Sequence, residues 1–501
     1  MSAATDVIPR AGSFGLSCSQ KAAMSSQATT PASSHPWKVL SVTSLATFAA
    51  ALDTSIMFMA FPDIGRTFSD VSRADLSWVI NAYTIVFAAL LLPAGRMADR
   101  VGRKRVFLSG VVVFTIASAL CGAAPEPELL IAARSLQAIG GALLFPSALA
   151  LVLSEFPQHR RATAVAVWSG VGALAAALGP SVGGVIIDTA GWRWAFYMNL
   201  PVGLIALAFG LRLLRESRAE DKQSATDLLG IPLLIAGVGS LALGTVQTDE
   251  WGWGDTRTLL AFAAAGVILP LFILRSATHH SPALDLSLFR SHNFRMANVA
   301  TLFFSVAFSA MFLGLVLFLT LVWRYSILKA GLTIWPGPLT AALVAGPAGR
   351  MVDRVGHRKI LVPGALFFAA GSAWLLVRAE VEPNVWGVWI PAAIMTGIGV
   401  GMTMPSLSSA AVHSLQPNRF AVGSAVNQTV RQIASVMGVA LVIALIGSPG
   451  PADALDAFDR VYELMVAAAV VTAVISLTIN TAPRSISGVL PVAPEVEPLT
   501  G

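Results

Sequence analysis

The sequence predicts an all-α integral membrane protein of fourteen spans: two six-helix bundles in parallel pseudo-repeat, plus two intervening helices. Three observations carry this. Of 501 residues, 55% are hydrophobic and 12% charged, about half the charged share of an average soluble domain, which leaves too little polar surface to face water. Apolar runs of about 18 or more residues recur, each long enough to cross a hydrocarbon core about 30 Å thick. They are continuous rather than alternating and contain Gly and Pro, as membrane helices do and barrel strands do not. Finally, the basic phrase GRMADRVGRKR at Gly95–Arg105 returns as GRMVDRVGHRK at Gly349–Lys359.

In chain order, residues 1–36 are rich in Ser, Ala, Thr and Pro and read as a disordered tail. They lack the apolar core and cleavage site of a signal peptide. Six spans follow at 38–61, 76–95, 106–124, 129–153, 162–187 and 195–213, forming a first bundle over 37–214. A linker at 215–226 leads to two extra helices within 227–275, at 227–247 and 257–274. After a second linker at 276–294, the second bundle occupies 295–481, with spans at 295–321, 328–348, 359–377, 386–412, 421–446 and 461–481; a tail fills 482–501. With both termini cytoplasmic, most Lys and Arg fall in inside segments, as the positive-inside rule requires. Both basic phrases then lie in cytoplasmic loops. Gly140–Ser147 in span four also resembles Gly399–Ser406 in span twelve, so the repeat extends beyond one motif.

Several residues are costly in such a setting. Asp53 sits deep in span one, where a charge costs roughly 2.5–3.5 kcal/mol, so it needs a cavity, a partner or a proton. Arg134 in span four is its natural counterpart. A carboxylate that alternates between a dry site and one beside a cation can take a proton on one side and release it on the other; the competing reading is a static ion pair. In the loops, Gly95 and Gly102 permit tight backbone geometry, and Asp99 can meet a helix N-terminus or Arg100 and Arg103. With Arg96, and with Asp353, Arg354 and Gly356 in the second copy, these make a candidate cytoplasmic latch between bundles, or a simple topology signal. Ala175, Gly179 and Gly183 make a smooth face in span five, bent by Pro180 and followed by Gly184. In span thirteen, Gly423, Asn427, Arg431 and Ser435 share a polar face suited to substrate contact or to helix pairing. Trp78, Asn81 and Tyr83 in span two, with Gln137 in span four, complete the candidate cavity. The two cysteines, Cys18 and Cys121, give no disulfide framework or metal cluster.

The spacing G-x-x-x-D-R-x-G-R-K-R resembles the cytoplasmic loop signature of the major facilitator superfamily. The fourteen-helix layout resembles its EmrB/QacA-type drug:proton antiporter branch over about 38–481. Leu52–Ile56 is similar to the branch's first-helix acidic motif, and Arg134–Gly140 to its R-x-x-Q-G-x-G. Gly179–Gly184 resembles the fifth-helix antiporter motif, and Trp192–Pro201 the segment that follows it. Phe58 stands where the branch places Asn, which removes a polar group near Asp53. The resemblance implies proton-coupled efflux by alternating access in a bacterial cytoplasmic membrane. It would be driven by the proton motive force without cofactor or metal, in a monomer embedded in the lipid bilayer. The partners expected are protons and lipophilic neutral or monocationic small molecules, with no nucleic acid. A dedicated exporter of an endogenous metabolite, siderophore or lipid is the alternative. A more remote one is a membrane acyltransferase, raised by the His280-x4-Asp285 spacing.

Overall fold

A computed structural model describes residues 36–157, 160–218, 227, 229–280, 282, 284–415, 419–447 and 454–481. The expected tails at 1–36 and 482–501 lie outside these, apart from Pro36, as does most of the 215–226 linker. Each of the fourteen apolar stretches falls on a helix. The first half holds α1 (Pro36–Thr67), α2 (Trp78–Val101), α3 (Arg103–Ala123), α4 (Pro127–Glu155), α5 (Arg161–Ala190) and α6 (Asn199–Leu213). Next come α7 (Gly230–Val246) and α8 (Thr256–Thr278). The second half holds α9 (His292–Leu317), α10 (Pro336–Val355, preceded by a short helix Ile327–Ile334), α11 (Arg358–Arg378), α12 (Ile390–His413), α13 (Phe420–Ile446) and α14 (Ala454–Ser476).

Among the described residues, eleven helices are long and apolar enough to cross a membrane, or twelve if the bent α5 counts as one span. The shortfall from fourteen has local causes. α7 has only 17 residues, and α14 opens with Asp456, Asp459, Arg460 and Glu463. α5 is bent by 43° between Gly170–Ala176 and Leu178–Ala190. Pro180 explains the bend: its ring has no N–H to give the Ala176 carbonyl and crowds it. That carbonyl is not left bare, because Ser55 Oγ of α1 donates to it at 3.0 Å.

The two copies of the basic phrase form equivalent corners. Gly102 (φ 129°) and Gly356 (φ 85°) end α2 and α10 in backbone conformations that disfavour a side chain. In each copy the segment after the half's sixth helix tucks onto the corner. Ser217 O accepts from Arg103 N at 3.0 Å, and Thr481 Oγ1 accepts from the equivalent His357 N at 3.1 Å.

The halves meet along the α2–α13 seam, where Thr429 Oγ1 donates to Ala88 O at 3.4 Å, and at the end away from the basic corners. Away from the basic corners, the Ile327–Ile334 helix lies on α5 so closely that any side chain at Gly331 would overlap Pro180 O. Phe58 of α1 meets Phe312 of α9 at 5.3 Å between ring centres, and Arg73 Nη1 donates to Gly447 O at 3.3 Å. Toward the corners, Gly170 and Gly172 of α5 and Gly346 and Gly349 of α10 have, among the described residues, no neighbour within 4 Å of where a Cβ would stand. Only 22% of the most apolar window of Ile327–Val352 is buried. On the α5–α10 side the halves are thus closed at the far end and parted toward the basic corners.

Candidate functional site

Asp53 and Arg134 are brought together as expected. Both are almost fully buried, and Arg134 Nη1 donates to Asp53 Oδ2 at 2.6 Å. The other carboxylate oxygen, Oδ1, accepts from Gln137 Nε2 at 3.0 Å and from Asn199 Nδ2 at 2.9 Å. Ser118 Oγ receives the same two amides, at 2.7 and 3.3 Å. Arg134 also donates to Gln137 Oε1 at 2.6 Å and, through Nε, to Val79 O at 3.2 Å. Its guanidinium lies over the Tyr83 ring, 4.1 Å from the centroid, an arrangement favourable to a cation. Cys121 Sγ lies 3.8 Å from Gln137 Oε1. A buried ion pair is stable only when its remaining donors and acceptors are satisfied, and α1, α3, α4 and α6 each supply a partner.

Sequence reasoning missed Ser118 and Asn199. The available signal was a polar side chain inside an apolar run, the signal that picked out Asp53. Asn199 also answers the loss of Asn at position 58. The acid keeps an amide partner from α6, and Phe58 instead packs across the interface between halves.

The antiporter motif faces two surfaces. A side chain at Gly179 would overlap Ser55, and one at Gly183 would press on Ile56 at 3.1 Å, so the bare backbone of α5 rests directly on these α1 side chains. A side chain at Gly184 would press on Ile327 O at 3.1 Å and Leu328 Cα at 3.2 Å, and one at Gly331 would overlap Pro180 O. One face packs within the first half while the other closes the far end.

In the first corner Asp99 Oδ1 accepts from Arg103 Nε at 3.0 Å and Nη2 at 2.9 Å. Glu216, a residue not anticipated, accepts from Lys104 N at 3.1 Å and Arg105 N at 3.3 Å, capping α3 with negative charge. Arg100 is exposed and Arg96 half-buried, and a side chain at Gly95 would make ordinary contact with Pro146. Asp99 is therefore held within its own half in this parted state. In the second corner Arg354 is exposed, and the Asp353 side chain lies outside the described residues. His357, where the first copy has Arg103, bonds through Nδ1 to Thr481 Oγ1 at 2.8 Å and through Nε2 to Ser409 Oγ at 3.0 Å.

The remaining cavity candidates divide. Tyr83 and Gln137 belong to the Asp53 network. Asn81 is fully buried and bonds Ser77 Oγ at 3.3 Å, leaving Oδ1 unpartnered. Trp78 packs with Ile85, Leu234, Phe272 and Val436, where α7 and α8 lean on the α2–α13 seam. Asn427 reaches α9, donating to Asn298 Oδ1 at 3.1 Å and Thr301 Oγ1 at 3.0 Å. Arg431 donates to Ser408 Oγ of α12, and its Nε is buried without a partner. Asp285 caps Leu286–Arg290 through Oδ1, accepting from Ser287 N at 3.0 Å and Ser287 Oγ at 2.7 Å, so its carboxylate serves as a turn cap.

These features define a helical membrane transporter of two bundles with a buried charge network in the first. The family model of the Major Facilitator Superfamily matches residues 43–439, and the chain belongs to that superfamily, which consists of transporters, not enzymes. It is 32% identical over 426 residues to a tetracenomycin C resistance and export protein of Streptomyces glaucescens, covering 84% of this chain and 78% of that one. It is 31% identical over 457 residues to a cephamycin export protein of Amycolatopsis lactamdurans, covering 89% and 94%. A crystal structure of a peptide transporter in complex with sulfate shares the fold at TM-score 0.65 and 15% identity, covering 88% of this chain and 95% of that one.

Proposed function

We propose that the protein is a proton-driven exporter of amphiphilic small molecules from the bacterial cytoplasmic membrane. On this reading it belongs to the fourteen-helix EmrB/QacA-type branch, acts as a monomer without cofactor, and has both termini and both basic corners on the cytoplasmic side. The parted state is then inward-open. The observation that carries the reading is the sealed Asp53–Arg134–Gln137–Asn199 network. A proton added to Asp53 cancels the charge that holds Arg134 and frees α1 to move against α4. Two residues along α1, Ser55 bonds the bend of α5, and the next turn of α5 closes the far end against Gly331. Titration and gate are thus mechanically adjacent. Each proton entering supplies about 2.3 kcal/mol per 100 mV of membrane potential. The export and resistance functions named for the two antibiotic-linked relatives support this direction of transport.

The test is Asp53→Asn in proteoliposomes, with a pH-sensitive dye trapped inside. Substrate addition should move protons through the wild type and not through the variant, while substrate binding to the purified variant persists. Unchanged proton movement would remove Asp53 from the coupling step.

A further inference from the structure

A helix turns 100° per residue, so steps of four drift by about 40°, and the polar stripe of α13 splits accordingly. Gly423 and Asn427 turn into α9. Arg431 is rotated out of that contact and shares its side of the helix with Ser424, Gln428 and Ser435, at steps of four, three and four. Ser424 is exposed and the other three are only partly buried, although they lie along the length of a membrane-spanning helix. Ser408 of α12 joins them through its bond to Arg431. This is a polar wall in the second half.

Its charge is unbalanced. Among the described residues Arg431 has no carboxylate partner, since the ion pairs formed are Arg66–Asp63, Arg103–Asp99, Arg105–Glu216, Arg134–Asp53, Arg257–Asp255 and Arg275–Asp227. Its Nε is buried and bonded to nothing. Asp53 and Arg134 neutralise one another, so they lend the interior no compensating negative charge. A guanidinium kept unpaired inside a bundle is costly, and its planar edge matches a carboxylate through two parallel N–H bonds.

Resting on the exporter reading, we infer that Arg431, Ser408 and Gln428 form a subsite for the acidic group of the cargo, and that the exported compounds are amphiphilic carboxylates. This competes with the neutral or monocationic cargo expected from sequence, and the experiment below decides between them. The amphiphilic body follows from the exporter reading; the acid follows from Arg431.

The experiment measures efflux from cells producing the full chain, with vector controls. The probes are naphthalene-2-carboxylate and anthracene-9-carboxylate, their carboxamides, and ethidium as a cation. Binding of the same probes to purified protein is followed by tryptophan quenching. The wild type should favour each acid over its amide by about tenfold or more. Arg431→Gln should weaken acid binding about ten- to hundredfold and leave the amides unchanged, while Arg431→Lys retains part of the preference. Equal losses for acid and amide would make Arg431 a structural residue and overturn the inference. Export of amides or ethidium but not acids, or no charge preference, would overturn it while leaving the exporter reading intact. If no probe of any charge is exported above the control, the exporter reading fails and takes the inference with it.

Discussion

In the first half the buried cation, Arg134, meets Asp53 at 2.6 Å and stacks on Tyr83, with Gln137 and Asn199 completing the acid's shell. In the second, among the described residues, Arg431 reaches Ser408 and keeps a bare Nε. The backbone plan of the two halves repeats down to the corners at Gly102 and Gly356, yet the interior charge is closed in one and open in the other. On the proposed reading the closed pair is the proton switch and the open charge is the site for a ligand. The scaffold occurs twice, and the side chains in its two interiors differ.

The largest expected effect tests the closed half. Arg134→Gln strands Asp53 in the core, which should cost about 3–5 kcal/mol and be seen as a fall in the thermal midpoint of purified protein in detergent. Removing both charges in Asp53→Asn/Arg134→Gln should recover most of that loss, because no charge is left unpaired. Arg431→Gln, which gives up only a bond to Ser408, should move the midpoint far less. Equal losses for Arg134→Gln and Arg431→Gln would erase the contrast between halves.

The next test concerns the gate between them. Gly331→Val would drive a side chain into Pro180 O, whereas Gly346→Val on the same arm of the second half enters open space. Overpacking of this kind costs about 1–3 kcal/mol, enough to shift a two-state equilibrium by roughly five- to hundredfold. With Cys18 and Cys121 replaced by Ser, a cysteine at Ser326 should react faster with an impermeant maleimide in Gly331→Val than in Gly346→Val. Equal rates would mean that this contact does not hold the far end shut.

Much of this was legible in the sequence, for physical reasons. Hydropathy located the fourteen long helices because lipid demands long apolar runs, and a lone acid and a lone arginine inside such runs announced Asp53 and Arg134. Their other partners were harder to see. Ser118 and Asn199 are modest polar residues that gain meaning only when α3 and α6 bring them beside the acid. Glu216 lies beyond α6 and caps α3 from far along the chain, so no local pattern reveals it. The polar stripe of α13 was visible, but which of its members faced α9 and which faced the interior depended on a rotation of about 40° per step. The place of α7 and α8 was also hidden, since their exposed apolar faces look alike whether they meet lipid or the α2–α13 seam.

That third region offers the smallest effect. α7 packs between α2 and α13, contributing Leu234, Val238 and Ala242 to one cluster with Ile85, Ala89 and Val436, so it spans the seam between the halves. It is tied to α8 by Asp227, just ahead of its first turn, whose oxygens accept from Arg275 Nε at 2.8 and 3.0 Å. Burial alone would raise the Asp227 carboxyl, but the Arg275 hydrogen bond and the Gly230 N–H outweigh it and hold it below the ordinary carboxylate value. A depressed folded value means the tie is fully present above the unfolded value near 3.9 and is lost as pH falls through the folded one. Asp227→Asn should therefore lower thermal stability by about 1 kcal/mol at neutral pH, where Arg275 is partly screened by solvent, and make no difference once the wild-type carboxyl is protonated. If the variant instead alters transport rate while leaving stability unchanged, α7 and α8 act on the seam's motion, and the contrast drawn between two halves must include the pair between them.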